Sequence, residues 1–302
     1  MLIGLFWLGG CSESGNQSAS SREDNHSSVQ NQNNPESLEL PLPVIPDNIK
    51  DDDPRREYAG MHFWDSLNFN DTTKTLNDEF MEQNFTNFIL FLQAQTSAEA
   101  QKRIITNLLS RAAVNQKTLK KITEIARLYL AEPNSPMRSD NIWMVYLEAA
   151  TADERYLPGL ADLERARYEL KMLNKNKVGS KASNFAYIDS QGGKHSLYDT
   201  QPGKKVMLLV FYDSDCENCD GVFESMMSDS SLNSFLSSGD YVLLAIDAKE
   251  NKEAWIEKSK KLPKSWKVGF NTDGIVDRDI YWLPALPAIY VLDTDYKVMK
   301  RD

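Results

Sequence analysis

Two hydrophobic periodicities divide the chain. From about Arg55 to Asn176 apolar residues recur at the three-to-four spacing of amphipathic helices. Leu76, Phe80, Phe88, Ile89 and Leu92 make one stripe, and Ile104, Ile105, Leu108, Leu109 and Ala112 a second. Leu119, Ile122, Ile125, Ala126, Tyr129 and Leu130 make a third. Breaks fall at Thr96-Ser97, at Asn115-Gln116 and across Pro133-Asn134-Ser135-Pro136, where capping and helix-breaking residues sit. Two further helices are expected from Ser139 to about Ala150 and from Pro158 to about Leu173. No strand-like alternation interrupts this stretch, so residues 47–177 are expected to form an all-α domain of four to six helices.

After Lys181 the period changes. Ser183 to Asp189 alternates, Gly192-Gly193 follows, and His195 to Tyr198 resumes, which reads as a hairpin. Val206 to Tyr212 (VMLLVFY) is a continuous apolar run suited to a buried central strand. Tyr241 to Ile246 and Ala288 to Leu292 read as further strands, with another beginning at Tyr296. Helices are expected from Gly221 to about Met227 and from Lys252 to Lys261. Strands alternating with helices predict an α/β domain over 181–302, its sheet covered on both faces.

The first residues fit neither pattern. Met1 to Gly10 (MLIGLFWLGG) is apolar but too short to span a bilayer, and reads as the apolar part of an export signal. Leu8-Gly9-Gly10-Cys11 resembles the lipobox of bacterial lipoproteins, although no Lys or Arg precedes the apolar run. The resemblance implies a signal over residues 1–11 and a lipid on Cys11 that attaches the chain to a membrane. Residues 12–46 are rich in Ser, Asn, Gln and Glu and are expected to be a flexible linker, stiffened at Pro41, Pro43 and Pro46.

Charge narrows the partners. The formal net charge of -10 repels nucleic acid and anionic membrane surfaces at long range, so no nucleic-acid partner is expected. Cysteine usage is sharper still. Of the three cysteines Cys11 belongs to the lipobox-like run, while Cys216 and Cys219 form a C-x-x-C pair directly after the central strand and at the start of a helix. A helix N-terminus stabilises a thiolate through its free N–H groups and partial positive charge, and a two-residue spacing brings the sulfurs within bonding reach. One C-x-x-C lacks the ligands for zinc, since His195 is the only histidine in this domain; no metal or cofactor is expected.

With these residues in place, the last 120 or so resemble the TlpA-like branch of the thioredoxin superfamily. The likeness rests on Phe185, Asp189, Gly193, Ser196 and Leu197 in the hairpin, on the strand running into Cys216 and Cys219, and on Leu286-Pro287-Ala288-Ile289-Tyr290-Val291-Leu292-Asp293. It implies a central mixed sheet flanked by helices. It implies a nucleophilic Cys216, a resolving Cys219 and a cis-proline at Pro287, in preference to Pro284, beside the sulfurs. It also implies a protein thiol or disulfide as partner. The helical stretch, with Tyr58 and His62-Phe63-Trp64-Asp65 ahead of it, resembles the uncharacterised helical domains that precede thioredoxin-like domains in lipoproteins of the Bacteroidetes. His62 itself reads as part of an aromatic packing cluster.

The site departs from the family pattern. Asp215 stands where a Trp is usual, and Val210 occupies the strand position of a buried acid. Asp213, Asp215, Glu217 and Asp220 surround the cysteines, and nearby anions disfavour a thiolate. That points away from a strong oxidant. The sequence therefore supports an envelope thiol–disulfide oxidoreductase, acting as a reductant, and leaves open a redox-inert binding or scaffold lipoprotein.

Overall fold

The computed structural model describes residues 38–301; the signal, Cys11 and most of the expected linker lie outside them. The helical region contains α1 (Asp52–His62), α2 (Thr72–Thr75), α3 (Asp78–Gln93), α4 (Ala98–Ala112), α5 (Gln116–Leu130), α6 (Asp140–Thr151) and α7 (Leu160–Leu173). The helices begin where side chains can cap them. Asn77 Oδ1 accepts from Phe80 N at 2.9 Å, Ser97 Oγ from Ala100 N at 3.1 Å, and Asn115 Oδ1 from Lys117 N at 3.0 Å. Each such cap stabilises a helix by about 1 kcal/mol. Among the described residues there are more helices than the four to six expected, because the polar α1 and the single-turn α2 carry no long apolar stripe. Leu76 is 40 % exposed just after α2 and stands apart from the buried stripe of α3.

The helical core is aromatic at one end. Phe63 and Trp64 are buried against Phe88, and His62 stacks on Tyr58 with ring centres 4.1 Å apart while its Nδ1 meets Asp65 at 2.7 Å. Between α5, α6 and α7 the buried Glu169 accepts from Arg127 at 2.7 Å, Arg165 at 3.0 Å and the Trp143 indole at 3.2 Å, so its charge is matched within the fold.

The α/β region contains β1 (Ala186–Asp189), β2 (Lys194–Ser196), β3 (Val206–Tyr212), α8 (Glu217–Ser228), α9 (Ser230–Ser237), β4 (Tyr241–Asp247), α10 (Lys252–Ser259), β5 (Lys267–Asn271), β6 (Ala288–Leu292) and β7 (Val298–Arg301). The seven strands form one mixed sheet in the order β2-β1-β5-β4-β3-β6-β7. The β3–β4 and β4–β5 pairs are parallel; the others are antiparallel. Alternation in β3 feeds two cores. Met207, Leu209 and Phe211 pack on one face of the sheet, whereas Val210 and Tyr212 pack on the other with Cys219, Phe223 and Trp255.

Two elements escape the pattern reading. The serine-rich α9 has no buried residue to print a stripe, and β5 is interrupted by Gly269. A Cβ at Gly269 would lie 2.3 Å from the Tyr187 ring and 2.8 Å from Ile246, so only glycine lets β1 and β4 approach on either side.

The two regions belong to one compact unit and are tied at several points. Asn176 donates to Ile280 O at 2.8 Å and accepts from Ser183 N at 2.6 Å. The buried Arg301 reaches Asp140 at 3.1 Å and Lys175 O at 3.0 Å, and Trp282 packs on the helical core. Residues 38–40, placed in the linker by composition, instead bond to α3. The fully buried Asn84 donates to Leu38 O at 2.7 Å and accepts from Leu40 N at 2.8 Å, so this stretch has backbone partners that polar composition does not reveal.

Asn84→Ala leaves those backbone groups without their buried partner and is expected to cost about 1–3 kcal/mol of stability. Limited proteolysis should then cut faster between residues 38 and 46. An unchanged urea midpoint with unchanged cleavage would contradict this anchoring.

Candidate functional site

The site grows from the C-terminal ends of β3 and β4. Their parallel register sets Tyr212 beside Asp247, and the chain leaves β3 through Asp213-Ser214-Asp215. The loop is held from below: Asp247 Oδ2 accepts from Ser214 N at 3.0 Å and from the Ser214 hydroxyl, while its Oδ1 accepts from Lys249 N at 2.9 Å. On its outer side Asp215 N donates to Asp213 Oδ1 at 2.9 Å, and Asn251 donates to Asp215 Oδ2 at 2.7 Å.

This loop delivers Cys216 as the N-cap of α8. Its sulfur accepts from the Cys219 backbone N–H at 3.3 Å, in the manner of a serine or aspartate cap. An anionic sulfur there gains from the helix dipole. Cys216 is half-buried, whereas Cys219 is fully buried among Val210, Tyr212, Phe223 and Trp255. Both are thiols in this structure. Burial pushes the Cys219 thiol up to about 12, and the neighbouring Cys216 sulfur and Asp213 charge push the same way. Burial also holds the Asp247 carboxyl above its ordinary range, against the hydrogen bonds from Ser214 and Lys249, and it raises Tyr212.

The third component arrives from β6. The register pairs Ala288 with Phe211, which brings the preceding residues level with the cysteine loop. The Leu286–Pro287 bond is cis, and the Cys216 thiol points at Leu286 O across 3.9 Å. Cys216, Cys219 and Pro287 are thus brought together at one end of the sheet. Cys11 lies outside the described residues.

Two site residues escaped sequence reading. The buried acid stands at Asp247 on the neighbouring strand rather than at the position of Val210. Its only trace in the sequence is an aspartate closing an apolar run. Lys258 on α10 pairs with Asp220, one residue beyond Cys219, and nothing in the local pattern marks it. Among the described residues, no group of three or more His, Cys, Asp and Glu could hold a metal ion, and no helix is long and apolar enough to cross a membrane. Chemically, the arrangement offers a half-exposed sulfur at a helix N-terminus with a second thiol shielded behind it.

Comparison places the chain. Residues 10–176 match the family model described as a domain of unknown function (DUF5106). A thioredoxin-like protein from Bacteroides caccae superposes with a TM-score of 0.78 at 27% identity, over 87% of this chain and 94% of its own. A conserved protein of unknown function from Bacteroides fragilis is 31% identical over 41% of this chain and 90% of its own, with a TM-score of 0.39. A thiol-disulfide oxidoreductase from the same species is 22% identical over 41% and 90%, with a TM-score of 0.36. No curated protein matches the sequence. The Bacteroides caccae likeness spans both regions, so the helical part and the thioredoxin-like α/β part recur together.

Iodoacetamide at pH 8 should modify Cys216 alone in the native protein, Cys219 reacting only after unfolding; equal labelling of both would contradict the burial. Asp247 gives a pH signature. Its raised folded value means that the native state holds this proton more tightly than the unfolded chain, whose value lies near 3.9. The stability it contributes is therefore present at low pH and lost as pH rises through the folded value. The unfolding free energy of wild type minus that of Asp247→Asn should fall as pH rises above about 4 in urea titrations. A constant difference would refute it.

Proposed function

We propose that this chain, which belongs to the DUF5106 family by a match over more than half its length, is a thiol–disulfide oxidoreductase that reduces protein disulfides through Cys216 and Cys219. The observation that carries this reading is the placement of the half-buried Cys216 sulfur as the N-cap of α8, accepting the Cys219 N–H, with the Cys219 thiol buried behind it.

In this reading the Cys216 thiolate attacks one sulfur of a partner disulfide. That S–S bond breaks, the other partner sulfur leaves as a thiolate and takes a proton, and a mixed disulfide remains on Cys216. Cys219 gives up its proton and attacks the Cys216 sulfur. The mixed disulfide breaks, the second partner sulfur leaves and is protonated, and a Cys216–Cys219 disulfide forms. Two electrons have passed from the pair to the partner, with the Cys219 proton and one from solvent that replaces the proton lost when the Cys216 thiolate formed. The backbone of Leu286, whose carbonyl faces Cys216, is where a partner's extended chain would lie.

The acidic surroundings support a reductant over an oxidant, since a poorly stabilised thiolate makes the disulfide form comparatively favourable. The lipobox-like Leu8-Gly9-Gly10-Cys11 supports a bacterial cell-envelope location with the chain attached through lipid on Cys11. The helical region, fused to the redox part, is the scaffold of this reading.

Equilibration in a dithiothreitol or glutathione series, followed by alkylation and mass spectrometry, should give a reversible two-electron couple below about -200 mV. Cys219→Ser should then accumulate a mixed disulfide on Cys216. A pair that cannot be cycled would leave a redox-inert binding module as the better account.

A further inference from the structure

Four carboxylates stand near the cysteines, and a lysine lies against the same helix. Lys258 on α10 forms an ion pair with Asp220 on α8, and its ammonium lies 5.9 Å from the centre of the Phe223 ring. Cys216, Cys219 and Phe223 follow one another at i, i+3 and i+7, so they share one face of α8, and Lys258 reaches toward that face. The two members of the ion pair differ in solvent access. The Lys258 side chain is 13 % exposed, against 53 % for Asp220. Water screens the carboxylate more than the ammonium, so towards the protein interior the positive end of the pair dominates.

We propose that Lys258 is a positioning residue of the dithiol site: its ammonium, carried on a largely buried side chain and held on α8 by Asp220, favours the thiolate forms and keeps the pair reactive near neutral pH despite the surrounding acids. The inference rests on the reading of Cys216 as the attacking sulfur. The groups that bear on it are Asp213 and Asp215 in the loop, Glu217 and Asp220 on α8, both cysteines, Tyr212 and Asp247 at the ends of β3 and β4, and Lys261 just beyond α10. Burial pulls Lys258 below its ordinary value while both sulfurs oppose that pull, as expected for an ammonium that interacts favourably with them in their ionised form.

The test is the pH profile of Cys216 alkylation by iodoacetamide in the full chain. Lys258→Gln should slow the reaction at pH 7 by about 3–10-fold and move its midpoint upward by as much as about one unit, since each unit is a tenfold change in thiolate population. Lys258→Arg should restore the wild-type profile. A purely structural role would lower the unfolding midpoint without moving this profile. Should the glutamine variant fail to fold, Lys258→Met, which keeps an apolar stem near Phe223 without the charge, serves instead. It should slow alkylation and raise the midpoint in the same direction, and an unchanged profile would overturn the proposal. Failure here is separable from failure of the proposed function. If wild type cycles with a disulfide but the variants' profiles match it, only the role of Lys258 falls; shifted profiles in a chain that reduces no disulfide sink the reductase reading alone.

Discussion

The dithiol site depends on one buried carboxylate. Asp247, at the end of β4, takes the amide and the hydroxyl of Ser214 and so holds the loop from which α8 starts. A buried acid is costly unless its oxygens are satisfied. Here both oxygens have donors, and the parallel β3–β4 pairing places them. If that loop moved, the first turn of α8 would move with it, and the Cys216 sulfur would lose the Cys219 N–H. The pairing of β3 with β6 then adds the backbone of Leu286 from the other side. Three strand ends therefore determine a geometry that no single segment of sequence contains.

The helical region is tied to this sheet through the edge strand β7 and the chain before β6. Its ties run through α7, Asn176 and the chain around Ile280, and through Arg301 on the last strand. Arg301 is nearly enclosed and answers both Asp140 and a backbone carbonyl, so β7 is held by charge-assisted bonds as well as by sheet pairing. These contacts make the helices a rigid partner to the edge of the sheet.

Most of the architecture was readable along the chain because it is repetitive. Amphipathic stripes and capping residues mark α3 to α6, and an unbroken apolar run marks β3, since each depends on neighbours close in sequence. What could not be read depends on partners distant in sequence. The strand β5 exists because Gly269 lets Tyr187 and Ile246 close over it. Residues 38–40 are held by Asn84, more than forty residues further on. The cysteine pair and the proline were legible as a pattern. Asp247 and Lys258, which set their surroundings, were not, because each reaches the site from a separate element.

That division separates the charge on the outer side of the motif from the charge on its inner side. By sequence, Asp213, Asp215, Glu217 and Asp220 form an unrelieved acidic ring around Cys216. In the fold Asp213 and Asp215 are spent on bonds within and across the loop, and Asp220 is tied to Lys258. Electrostatic influence falls with solvent screening as well as with distance, so an exposed carboxylate and a buried ammonium of equal charge do not cancel at a buried sulfur. The acids therefore shape the outer surface that a partner meets. The helix terminus and the buried cation govern the inner face, where the second thiol must ionise.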